Sequence, residues 1–182
     1  TSRIVADLDL MLLPQELEIG IPPLREAGYL PWERRSRRHT ASKLYRPDYP
    51  GLVHIHHRPP DARTSMSAAS IMRDSRTIEF GSGRARIPSP TDHLCYMIGH
   101  DMLEDRGLLY GKFNLRHALD TLEIVRTDAV DWDVVRDRFA SNWRKLAYAT
   151  YMYNLVMLFR VAGLPGLATY RLSRAMYRRV VR

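Results

Sequence analysis

From Ile4 to Leu13 apolar and polar positions alternate, with Ile4, Ala6, Leu8 and Leu10 on one face and Asp7 and Asp9 on the other. A period of two is that of a half-buried strand, and Pro14 ends it. A short helical stretch, Leu24 to Ala27, closes on Gly28, a residue suited to the position after a helix. The basic run Arg34, Arg35, Arg37 and Arg38 then reads as a loop or strand edge. Between Leu52 and His57, Val53 and Ile55 alternate with His54 and His56 before Pro59-Pro60, which predicts a second strand. Thr77 to Phe80 and Arg84 to Ile87 flank Gly81-Ser82-Gly83, the pattern of a hairpin.

After Pro88 the period changes from two to 3.6. Ser89 is a good N-cap with Pro90 at the first helical position, and apolar residues recur at helical spacing almost to the last residue. Helices are predicted near 90–105, 112–126, 132–145, 146–162 and 167–181. The series Tyr148, Met152, Leu155 and Phe159 marks bundle core. The fold class is α+β: a small mixed sheet in residues 1–88 followed by a C-terminal helical bundle in 89–182.

With 182 residues, 45% of them hydrophobic, the chain can bury a core. Its one cysteine, Cys95, cannot form an internal disulfide and suits a reducing cytoplasm. No run reaches the roughly 18 apolar residues of a membrane span, since Leu146 to Phe159 contains Asn154 and ends at Arg160. The sequence opens at Thr1 with neither initiator methionine nor leader, which implies processing or further sequence upstream. A net charge of +8 favours polyanions: nucleotides, nucleic acid or anionic surfaces. Arg171, Arg174, Arg178 and Arg182 share one helical stripe, either a solvated face or, with the run at Arg34 to Arg38, a nucleic-acid contact.

The chemistry starts at Asp7 and Asp9. Two apart on a strand, their carboxylates leave the same face about 7 Å apart along the chain and can turn toward one divalent ion. Two hard oxygen ligands suit Mg²⁺, the ion that bridges a triphosphate and neutralises charge in phosphoryl transfer. A lone Asp-x-Asp equally describes a solvated strand face.

Further residues extend the pattern. Ala6-Asp7-Leu8-Asp9-Leu10-Met11-Leu12 has apolar flanks, with Arg3 ahead; Leu24 leads to Gly28-Tyr29; Leu44-Tyr45-Arg46-Pro47 precedes Val53 to Arg58. Ile87-Pro88-Ser89-Pro90-Thr91-Asp92, His100, Leu115-Arg116-His117-Ala118-Leu119-Asp120 and Val130-Asp131-Trp132 follow. In this order, over roughly residues 3 to 166, the chain resembles an uncharacterised bacterial group of polymerase-β-like nucleotidyltransferases. The resemblance implies a nucleotidyltransferase-like core in 1–88, Asp7 and Asp9 as Mg²⁺ ligands, and an NTP, ATP first among them, as substrate. It also implies Arg3, His56 and Arg116 as groups near the nucleotide, and an acceptor that the sequence does not name.

Two features depart from that group. Its members carry a third acid on the neighbouring strand, and His54 stands there; an imidazole accepts a proton but supplies no negative charge. They also cradle the triphosphate with a glycine-containing turn before the carboxylate strand, and the sequence begins too near that strand to display one.

Other signals have two readings. His54 and His56 share a face and suit metal, but zinc needs further ligands that the sequence does not identify; active-site support and a structural hydrogen bond are the alternatives for His56. Gly81-Ser82-Gly83 lacks the helix and the Lys-Ser or Lys-Thr pair of a P-loop, so a hairpin turn accounts for it. Arg116 and Asp120 are four apart on a helix, either an intrahelical ion pair or a phosphate contact held by an acid. The expectation is a protein that binds NTP and Mg²⁺ through Asp7 and Asp9 and transfers a nucleotidyl group, with His54 in the catalytic set. The alternative is a non-catalytic module on the same fold that binds nucleic acid or protein.

Overall fold

The computed structural model describes residues 7–32, 40–59, 66–127, 129–161, 164 and 178. It is α+β: strands form the N-terminal part and helices follow. The chain divides into two compact units, Thr1–Ala62 with Ser67–Ser70, and Arg63–Met66 with Ile71–Arg182.

In the first unit, strands β1 (Asp7–Met11), β2 (Leu30–Pro31), β3 (Thr40–Arg46) and β4 (Tyr49–His56) form a sheet of order β1-β4-β3-β2. β1 runs parallel to β4, and β4 antiparallel to β3. Leu44, Val53 and Ile55 are the buried centre of its core, and Leu10, Leu12, Leu17, Ile21 and Leu24 pack on them. The last three come from helix α1 (Leu17–Glu26), which presents Leu17, Gly20, Ile21 and Leu24 on one face. Gly20 lets α1 lie close to Leu12, since a Cβ would lie 2.6 Å from Leu12 Cδ1 and that side chain would have to shift. The sequence predicts helix only from Leu24, since Pro22 and Pro23 argue against an earlier start. Both prolines instead sit on the exposed side of α1, where water can satisfy the carbonyls they leave unbonded.

α1 ends as Gly28 predicts. Gly28, at φ 86°, donates its N–H to Arg25 O at 2.9 Å, and Tyr29 N–H reaches Leu24 O at 3.0 Å. These are the two bonds of a Schellman motif, and Tyr29 packs against the core beside Leu24. The Leu24…Gly28-Tyr29 spacing is therefore a helix-stop signal.

The second unit holds the predicted hairpin, β5 (Arg76–Phe80) with β6 (Gly83–Ile87), preceded by α2 (Ala68–Asp74), whose first turn belongs to the other unit. The sequence boundary at 88 groups this hairpin with the strands; by contacts it groups with the helices. Helix α3 (Pro90–Gly99) starts where expected, with Ser89 Oγ accepting the Asp92 N–H. It continues as a π-helical turn, His100–Glu104. Then come α4 (Gly107–Tyr110), α5 (Leu115–Thr127), α6 (Trp132–Arg138) and α7 (Asn142–Phe159).

The predicted helix pair 132–145 and 146–162 breaks earlier than its periodicity suggests. Phe139 leaves α6 to enter the core and stacks on Tyr148, and Ser141 takes an extended conformation that begins α7. Asp131 caps α6 through the Asp133 and Val134 N–H groups. Tyr148, Met152 and Leu155 are buried as expected. Cys95 is a buried free thiol whose pKa burial pushes up to about 11. Arg3, the run Arg34 to Arg38, and Arg171, Arg174 and Arg182 lie outside the described residues; Arg178 is exposed.

Candidate functional site

The parallel register sets Asp7 beside Leu52, Asp9 beside His54 and Met11 beside His56. Because side chains alternate along both strands, Leu8 and Leu10 share the core side with Val53 and Ile55. Asp7, Asp9, His54 and His56 stand together on the other side. The common face expected from the sequence is present, and the strands are neighbours.

The four side chains converge closely. His56 Nε2 lies 3.0 Å from Asp9 Oδ1, and His54 Nδ1 lies 3.4 Å from the same oxygen and 3.9 Å from Asp7 Oδ2. Burial by itself would raise the Asp9 carboxyl. The hydrogen bonds and charge of His54 and His56 overcome that effect and hold it well below the usual carboxylate range. Asp9 is thus anionic at any ordinary pH, as a metal ligand must be.

Asp9, His54 and His56 each offer one ligand atom, all within 4.8 Å of one another. Asp9 thus offers a third ligand atom beside the two histidines. Asp7 stands at the edge, linked through His54. His54 faces the carboxylates through Nδ1, and its Nε2 is buried with no hydrogen-bond partner among the described residues.

Arg116 belongs to the second unit, exposed on α5, where its backbone N–H donates to Asn114 Oδ1 at 3.1 Å. A second convergence, missed in the sequence, lies in that unit: His100, Asp101 and His117. His100 and the Arg116-His117 segment stand out singly in the sequence, but nothing in their spacing joins them across α4.

The fold is α+β, and two carboxylates and two imidazoles share one face of its first sheet. The model of a family described as uncharacterised nucleotidyltransferases matches residues 1–159, and the chain belongs to that family. No curated protein and no solved structure matches it. Among the described residues no helix is long and apolar enough to cross a membrane.

Proposed function

We propose that the N-terminal unit binds a nucleoside triphosphate, ATP first among them, together with Mg²⁺, and transfers a nucleotidyl group to an acceptor in the manner of polymerase-β-like enzymes. The observation that carries this reading is the convergence of the Asp7 and Asp9 carboxylates on His54 Nδ1, 3.9 and 3.4 Å away on the adjacent parallel strand. Two carboxylates meeting at one place on an exposed strand face fit a hard divalent ion that keeps water and phosphate oxygens as its other ligands. When bound, such an ion supplies charge neutralisation along the triphosphate.

The chain's own residues do the positioning. His56 fixes the Asp9 carboxylate by a direct bond, and His54 braces Asp9 and Asp7 from between. In this reading Arg3 and Arg116 are candidates for triphosphate contacts, residues 1–88 hold the nucleotidyltransferase core, and the buried thiol of Cys95 fits a cytoplasmic protein. The net charge of +8 leaves nucleic acid among the possible acceptors.

A second reading rests on His54. It occupies the place opposite Asp9 where such enzymes carry a third acid, so the site has one negative charge fewer and binds nucleotide better than it turns it over. Calorimetric titration with ATP and Mg²⁺, run beside transfer of labelled nucleotide, separates the two. Binding and transfer that both vanish in Asp7→Asn and Asp9→Asn support the enzyme, binding without transfer supports a site that holds nucleotide without turning it over, and no Mg²⁺-dependent binding refutes both and leaves the non-catalytic module that binds nucleic acid or protein.

A further inference from the structure

We propose that His100, Asp101 and His117 form a separate site in the helical unit that takes one divalent transition-metal ion, with Zn²⁺ the best chemical match. The inference is independent of the reading of the carboxylate strand. One ligand atom from each residue lies within 4.8 Å of the others, close to the spread around a single ion before small side-chain adjustments. His117 Nδ1 is 2.7 Å and His100 Nδ1 is 3.5 Å from the same oxygen, Asp101 Oδ1. Asp105 Oδ2 stands 3.4 Å from His100 Nδ1, at the edge of the cluster.

The backbone is built to produce this meeting. The π-helical turn His100–Glu104 is wider than an α-helical one, so consecutive residues advance by a smaller angle and His100 and Asp101 can both face His117 on α5. Gly107 then lets the chain close against the turn, since a Cβ there would lie 2.5 Å from Asp101 O and 2.7 Å from Lys112 O. Arg106, just before it, is held at φ 57°, a left-handed conformation that costs a non-glycine residue energy.

Charge supplies the second, independent observation. The Asp101 side chain is only 3% exposed, and its Oδ2 is buried with no hydrogen-bond partner among the described residues. A buried carboxylate needs compensation, and the partners of Asp101 among the described residues are the His100 and His117 rings. A divalent cation would balance the buried Asp101 carboxylate. Two imidazole nitrogens with carboxylate oxygen are a borderline set that favours Zn²⁺ over Mg²⁺. The half-buried rims of His100 and His117 leave the ion a path from solvent.

The test uses the full chain stripped with a chelator, carrying Asp9→Asn and His56→Gln to silence the first cluster. Zn²⁺ affinity is measured by competition with a chromogenic chelator, coordination by the visible spectrum of the Co²⁺ form, and ligand identity by nitrogen NMR of the histidines. We expect one ion per chain, a Co²⁺ spectrum of low coordination number, and Zn²⁺-induced shifts at Nδ1 of His100 and His117. Adding His117→Ala should weaken binding by at least about a hundredfold, beyond the loss typical of an outer-shell change. Unshifted His100 and His117 nitrogens at saturating Zn²⁺ would overturn the proposal whether or not His117→Ala folds, as would unchanged affinity in a folded His117→Ala protein.

Discussion

Asp9 Oδ1 lies 3.0 Å from His56 Nε2, a ring 47 residues away in sequence that the parallel pairing of β1 with β4 brings alongside. The bond depends on the carboxylate being charged, and together with His54 it holds the Asp9 pKa below its ordinary value of 3.8 despite the opposing effect of burial. A depressed folded-state pKa contributes stability that is present above the unfolded value and lost as pH falls through the folded one. Asp9 should therefore remain ionised at pH values where an ordinary aspartate is half protonated. Carboxyl-carbon NMR would follow this directly. His56→Gln should move the midpoint upward, and a parent midpoint at the ordinary value would contradict the geometry.

The Asp9–His54 register makes a gain-of-function prediction. Replacing His54 with Asp sets a third carboxylate beside Asp7 and Asp9 without changing the strand. Affinity for divalent cations rises with ligand charge, so Mg²⁺ should bind on the order of tenfold tighter. Nucleotidyl transfer should rise with it. Calorimetry and a labelled-nucleotide assay on parent and His54→Asp measure both, and unchanged Mg²⁺ affinity would mean that position 54 does not face the ion.

The carboxylate site was legible in the sequence because two alternating strands carried it. Period two fixes which side chains share a face, and pairing β1 with β4 needed only that each bury its apolar side. β3 was not legible: Thr40, Ser42, Lys43 and Arg46 blur its alternation, and it is held by β2 and β4 on its two edges. The start of α1 was hidden by Pro22 and Pro23, whose effect depends on which side of the helix faces water. The break at Phe139 was hidden because a residue leaving a helix to fill a core keeps the apolar period intact. The His100–Asp101–His117 cluster needs a π-helical turn and a glycine contact across α4, neither of which a periodicity contains.

Asp92 and Arg138 form the ion pair that ties α3 to α6. Arg138 Nη1 donates to Asp92 Oδ1 at 2.5 Å, while Ser89 Oγ donates to Oδ2 at 2.8 Å. Asp92 is 1% exposed, so Arg138→Met would leave a desolvated charge with only the serine bond. Breaking one side of such a pair costs about 3–5 kcal/mol, whereas exchanging both partners for apolar residues of similar volume is often near neutral. Urea unfolding of Arg138→Met, Asp92→Leu and the double variant should therefore show strong non-additivity, with the double variant more stable than Arg138→Met. Additive losses would mean that the two residues stabilise the unit separately.

Asn154 gives the last prediction. It lies inside α7, fully buried, between core residues Tyr151 and Met152 on one side and Leu155 on the other in sequence, and neither Oδ1 nor Nδ2 meets a hydrogen-bond partner among the described residues. Burying an amide without compensation costs roughly 1–3 kcal/mol on the scale of protein mutations, and asparagine is also a poorer helix former than leucine. Asn154→Leu keeps the branching of the side chain while removing both uncompensated groups, although leucine is the bulkier residue. It should stabilise the protein by about 1–3 kcal/mol, seen as a higher urea midpoint with an unchanged slope. Asn154→Ala removes the same polar groups but leaves a cavity, and so should gain less or lose stability. A clear loss in Asn154→Leu would show that the amide serves a group in the folded protein that a hydrocarbon cannot replace, and Asn154 would then join the polar residues whose partners are worth finding.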